Sequence, residues 1–160
     1  MDLGLNGKVA IVTGGSDGIG KAAATSLASE GAKVAIVGRT QSKLDTAIAE
    51  IKSESGGEVI GVSADVSVES SVQAMVAKVV SEFGGIDILV NNAGTSSSTT
   101  LEKMTDADLE TDFGIKIYGA IYCARAALPH LKASGTGAII NTTTPGGKAA
   151  RPGSQPTDLS

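Results

Sequence analysis

Short apolar runs alternate along this chain with longer stretches in which apolar residues recur every three or four positions. The short runs predict strands at residues 8–13, 33–38, 58–63, 86–90 and 137–142, each built from Val, Ile, Leu and Ala. Runs of this kind, apolar on both faces, belong to parallel sheets covered by helices on both sides. The longer stretches predict helices. The first, over 18–30, is closed by Gly31 at a C-cap position, and the second, over 42–53, carries Leu44, Ile48 and Ile51 before Gly56-Gly57 stops it. A third helix is predicted over 67–83 through Val72, Met75, Val76, Val79 and Val80, ending at Gly84-Gly85. A fourth stretch, 106–132, reads as helix in one or two pieces. Strict strand–helix alternation predicts a doubly wound α/β fold of Rossmann type with right-handed crossovers and a ligand at the strands' carboxyl ends. No repeat or linker divides the chain, so a single domain over 1–160 is expected.

The rhythm breaks twice. Thr95-Ser96-Ser97-Ser98-Thr99-Thr100 reads as an exposed loop. After the fifth strand comes Thr144-Pro145-Gly146-Gly147-Lys148, and then Pro156-Thr157-Asp158, which reads as a first helical turn with no helix after it. An edge strand left uncovered is an aggregation hazard, so the expectation is a shortened form of a longer chain.

Composition narrows the partners. There is no Trp and there are two Phe and two Tyr, which leaves few platforms for stacking nucleic-acid bases; the net charge of −4 has the wrong sign for a phosphate backbone. Neither a basic leader followed by an apolar stretch nor an apolar run of the ~20 residues a membrane helix needs is visible. Cys123 stands alone, which excludes an internal disulfide and suits a reducing, cytoplasmic compartment. No nucleic acid, membrane or metal is expected as a partner.

The strongest chemical signal is Thr13-Gly14-Gly15-Ser16-Asp17-Gly18-Ile19-Gly20, a glycine-rich turn between the first strand and the first helix. Glycines permit a sharp turn and close approach of phosphates, while the helix N-terminus offers free N–H groups and partial positive charge. In this setting the turn reads as a dinucleotide site. Three further segments agree with it: Asp65-Val66 after the third strand, Asn91-Asn92-Ala93-Gly94 after the fourth, and Ala126-Ala127-Leu128-Pro129-His130 late in the long helix. Together with the Thr-Gly-x-x-x-Gly-x-Gly spacing from Thr13 to Gly20, they resemble the short-chain dehydrogenase/reductase family from Gly7 to about Thr144.

The resemblance implies hydride transfer between a nicotinamide nucleotide and a small carbonyl or alcohol. It assigns Thr13, Gly14, Ser16, Asp17, Gly18, Ile19 and Gly20 to the pyrophosphate turn. Asp65 with Val66 falls to the adenine, and Asn91, Ala93 and Gly94 to the ribose and nicotinamide side. Asn91 and Asn92 also suit strand-end capping, and the two roles coexist. At the end of the second strand stands Gly38, where an acidic residue would bind a 2′-hydroxyl, followed by Arg39. Arg39 reads either as a partner for a 2′-phosphate or as a plain surface charge, and Asp17 occupies a place where NADP-preferring relatives often carry a base. NADP(H) is favoured, with NAD(H) the alternative.

The same resemblance implies an Asn in the long helix, a Ser after the fifth strand, and a Tyr-x-x-x-Lys pair whose Lys lowers the Tyr pKa. Here those places fall on Lys116, on Thr144, on Thr157 and beyond Ser160, and no Tyr follows Tyr122. Thr144, Lys116 and Thr157 are therefore the catalytic candidates of an altered set. Lys116 reads either as a donor to a substrate carbonyl or as a solvated charge, Lys148 as an exposed loop residue, and Tyr118 with Tyr122 as a packing pair four positions apart. His130 reads as structural, at a helix end. Two functions stay open: an oxidoreductase with an altered set, and a nucleotide-binding sensor or subunit without turnover. The expected partners are a small carbonyl or alcohol and a second copy of the chain.

Overall fold

Residues 2–95, 98–143 and 155–156 are described in a computed structural model. Five strands, β1 (Val9–Thr13), β2 (Lys33–Gly38), β3 (Val59–Ser63), β4 (Ile88–Asn91) and β6 (Ala138–Asn141), form a parallel sheet in the order β3-β2-β1-β4-β6. Strand order reverses at β1, whose two sides carry β2 and β4, with Val12 level with Ile36 and Val90. A reversal of this kind opens a crevice at the carboxyl ends of the strands.

Alternation along the strands explains the two layers of core. Val9, Ile11, Ala35 and Val37 point to the face covered by α3 (Glu69–Phe83) and α5 (Gly119–Ala133), where they meet Val72, Met75, Cys123 and Leu131. Ala10, Val12, Val34 and Ile36 point to the face covered by α1 (Gly18–Ser29) and α2 (Gln41–Ser55), against Ala24, Ala28, Leu44 and Ile51. Each fully buried Ile, Leu or Val contributes about 1.5–3 kcal/mol by leaving water. Small Ala side chains on α1 let that helix approach β1 closely enough to bring its N-terminus to the crevice.

Helix boundaries follow local chemistry. Helix α2 runs on to Ser55 because Gly56 adopts φ +67° and returns its N–H to Lys52 O. Helix α3 starts at Glu69, two residues later than periodicity predicts, because Asp65 captures both the N–H and the hydroxyl of Ser67. The long stretch is in pieces: α4 (Asp106–Phe113), a π-helical turn at Gly114–Tyr118, and α5. A capping box of Thr105 and Asp108 starts α4.

Two expectations need correction. Ser98–Thr99, predicted as loop, is a short strand β5, paired antiparallel with β7 (Gln155–Pro156). Pro156 thus stands in a two-residue strand rather than in the first turn of a helix, a place open to proline because so short a pair needs no N–H from it. Strand β6 does lie at the sheet edge with exposed side chains, Ile139 at 42% and Ile140 at 50%.

Candidate functional site

The turn after β1 is shaped by contacts that leave no room for side chains. Gly14 has φ +64°, and a Cβ there would sit 3.0 Å from Ala93 Cα; a Cβ on Gly20 would run into Gly14 O and Asn92 Nδ2. Gly18, at φ +51°, faces open space, which leaves a cradle at the start of α1. Asp17 caps that helix, accepting the Gly18 N–H at 2.7 Å. Ile19 is apolar and 70% exposed, so at that position only its backbone N–H can serve a ligand. Thr13 works by a different route from the one its motif suggests. It is buried, donates from Oγ1 to Val90 O (3.3 Å), and accepts the N–H of Asn92 (2.9 Å) and of Ala93 (3.0 Å). Thr13 is the brace that holds the Asn91–Gly94 segment against the glycine turn, and Asn92 Nδ2 returns the bond to Thr13 O at 3.2 Å.

These segments wall a cavity of about 420 Å³ at the carboxyl ends of β1, β2 and β3. Ser16 and Asp17 line it on one side, and Arg39 and Lys43 reach it from the end of β2 and the start of α2. Among the described residues neither Arg39 nor Lys43 has a carboxylate within 4.0 Å, and Thr40, at the start of α2, uses no side-chain bond to cap it. Lys43 was not singled out in the sequence, where no local pattern ties it to Arg39, which lies outside α2. Asp65 lines the same cavity, bonded to Ser67 Oγ (2.6 Å) and Ser67 N (2.9 Å). The Ser67 hydroxyl, helped by the Ser67 N–H and the charge of Arg39, holds the Asp65 carboxyl below the usual range. Val66 beside it is buried and shapes the wall against Gly119, where a Cβ would meet Val66 Cγ2 at 2.9 Å.

A second cavity, about 430 Å³, adjoins the first across Val66, Asn92, Ala93 and Gly94. Asn91 is buried in its wall, donating from Nδ2 to Asn141 Oδ1 at 2.9 Å, while its Oδ1 finds no donor among the described residues. Lys116 projects from the π-helical turn into the same wall. It is no solvated charge: its side chain is 19% exposed, and Nζ lies 3.0 Å from Oδ2 of Asp112, which is wholly enclosed. Thr95 Oγ1 donates to the other Asp112 oxygen at 2.7 Å. Asp112 is the residue the sequence reading missed, and its signal was the i,i+4 spacing from Lys116. Thr144, Thr157 and Lys148 lie outside the described residues. Tyr118 and Tyr122 stack with ring centroids 6.3 Å apart, Tyr118 outward and Tyr122 against the core. Among the described residues no three His, Cys, Asp or Glu side chains gather for a metal, and no helix is long and apolar enough to cross a membrane.

A family model described as short chain dehydrogenase matches residues 8–156. The chain belongs to the short-chain dehydrogenase family. An uncharacterised oxidoreductase of Staphylococcus epidermidis is 40% identical over 143 residues, covering 88% of this chain and 59% of that protein. L-sorbose reductase from Gluconobacter frateurii, solved with NADPH and L-sorbose, superposes with a TM-score of 0.94 at 37% identity, over 99% of this chain and 60% of that one. NAD+-bound xylitol dehydrogenase superposes at 0.91 with 31% identity, over 97% and 60%. The chain thus spans about three fifths of the length of these relatives. Its five-stranded parallel sheet is the family's Rossmann-type fold.

Proposed function

We propose that this short-chain dehydrogenase is an NADP(H)-dependent oxidoreductase acting on a small carbonyl or alcohol. The observation that carries the cofactor preference is the end of β2. Gly38 places no carboxylate there, and Arg39 and Lys43, both without a carboxylate partner among the described residues, line the adjoining cavity. A 2′-phosphate would meet two cations and the N-terminus of α2, where NADH would offer only a hydroxyl. The residues present fit a dinucleotide on two further counts. Gly14 and Gly18 leave a cradle for phosphates at the start of α1, and the buried Asn91 Oδ1 awaits a donor such as a ribose hydroxyl or a carboxamide N–H.

When bound, the nucleotide supplies a hydride to a carbonyl carbon or takes one from an alcohol carbon. The chain's own residues handle the oxygen. Lys116 donates a hydrogen bond to the carbonyl oxygen and can pass it a proton as negative charge develops, with Asp112 holding the ammonium in place. In this reading Thr144 and Thr157 bring hydroxyl donors. The burial of Cys123 as a neutral thiol, its pKa pushed up to about 11 by desolvation, suits a reducing, cytoplasmic setting. The exposed Ile117, Tyr118 and Ile121 beside α5 suit contact with a second copy.

A second reading, nucleotide binding without turnover, is favoured by one observation: Thr157 stands where the family's proton-donating Tyr is expected, and no Tyr follows Tyr122. Absorbance at 340 nm separates the two. The oxidoreductase reading expects NADPH consumption with members of a ketone and aldehyde panel. NADPH binding with no consumption across that panel would establish the second reading instead.

A further inference from the structure

The second cavity has an asymmetric lining. Of its described residues Lys116 alone carries a formal charge; the rest are amides, hydroxyls, glycines and apolar side chains. The anion that steadies Lys116 lies behind it. Asp112 is wholly enclosed, with one oxygen on Lys116 Nζ and the other on Thr95 Oγ1, and it does not line the cavity. The pair therefore presents its positive end to the cavity and its negative end to the protein. An ammonium has three N–H donors, and among the described residues Asp112 is its one carboxylate partner. Asn91 Oδ1, an acceptor without a donor among the described residues, marks a part of the wall where an anion is unwelcome. Negative charge on a ligand is thus directed to the Lys116 end.

Resting on the oxidoreductase reading, we propose that Lys116 makes this a site for 2-oxo acids and the corresponding 2-hydroxy acids. A 2-oxo acid can turn its ketone oxygen and one carboxylate oxygen to the same side, so that a single ammonium donates to both. A simple ketone offers that ammonium one acceptor and no charge. The reaction is R–CO–COO⁻ plus reduced nicotinamide nucleotide plus H⁺ giving R–CHOH–COO⁻ plus oxidised nucleotide. The hydride forms the new bond to C2, the C=O π bond opens, and the oxygen takes the proton. Lys116 thereby sets specificity as well as touching the reacting oxygen.

The test compares 2-oxobutanoate with its neutral isostere 2-oxobutanamide, using the 160-residue chain and NADPH. A charge-assisted hydrogen bond corresponds to a preference of about 10- to 100-fold in kcat/KM for the acid. Lys116→Gln paired with Asp112→Asn keeps an N–H donor, leaves no buried lone carboxylate, and brings the ratio to about one. Lys116→Arg keeps the preference and guards against a variant that merely folds badly. Calorimetry with oxamate in the presence of NADPH gives a readout independent of turnover: oxamate binds the parent chain and Lys116→Arg, and binding is lost in the double variant. Equal use of acid and amide, or oxamate binding indifferent to the double variant, overturns the assignment of Lys116 while the cofactor reading stands. If neither carbonyl is consumed, the oxamate measurement alone decides. Failure of the folded chain to bind NADPH overturns the cofactor reading instead.

Discussion

Asp65 illustrates how much one side chain at a strand end does. Its carboxylate accepts from the Ser67 hydroxyl and N–H, which sets the start of α3 and lowers its own pKa. Because the folded pKa lies below the unfolded value of about 3.9, the resulting stability is fully present above about pH 4. It is lost as pH falls through the folded pKa. Asp65→Asn is therefore expected to be less stable than the parent near neutral pH and to converge with it in acid, as thermal midpoints taken from pH 7 down to pH 2 would reveal. A constant gap over that range would mean that the carboxylate charge is irrelevant. The motif made Asp65 legible in the sequence, whereas the role of Thr13 was not. Its bonds cross to Val90, Asn92 and Ala93, 77 to 80 positions away, and no local pattern encodes a pairing at that distance. Lys116 was legible as a position but not as a buried one. Its enclosure depends on Asp112 facing it one turn earlier and on the π-helical turn that aims it.

Elements were legible where their ends carry their own chemistry. Glycines that adopt positive φ at Gly31, Gly56 and Gly84 end three helices within two residues of where the sequence placed them. The π-helical turn has no such marker, since Gly114 and Gly119 both keep right-handed helical angles. Nor was the β5–β7 pair foreseeable, because two residues carry no periodicity. The β1–α1 turn allows a sharper expectation. Gly14→Ala forces an alanine to φ +64° with its methyl 3.0 Å from Ala93 Cα, a conformational cost of about 1–2 kcal/mol before any clash. For a chain of this size that corresponds to a melting point lower by roughly 2–8 °C. Calorimetric melting checks it, and nucleotide affinity should fall with it, since the displaced Asn91–Gly94 segment walls both cavities.

At the scale of the whole molecule, the order β3-β2-β1-β4-β6 brings strand ends from four parts of the chain to one crevice. Alternating strands and helices made the doubly wound class legible, because right-handed crossovers leave few arrangements for five parallel strands, whereas the order itself comes from the strand pairing. The sequence also carried the motifs at each strand end. It did not carry the division of the crevice into two adjoining cavities, one with Arg39 and Lys43 and the other with Lys116, because that depends on how α4 and α5 lie across the sheet. The central claim is that the first cavity is built for a nucleotide with a 2′-phosphate. The direct measurement is a fluorescence titration of the folded chain with NADPH and with NADH at matched ionic strength, in a protein with no Trp to interfere. The account predicts NADPH binding at least tenfold tighter, with most of that difference lost in Arg39→Ala. NADH binding as tightly as NADPH, or neither nucleotide binding, would contradict it.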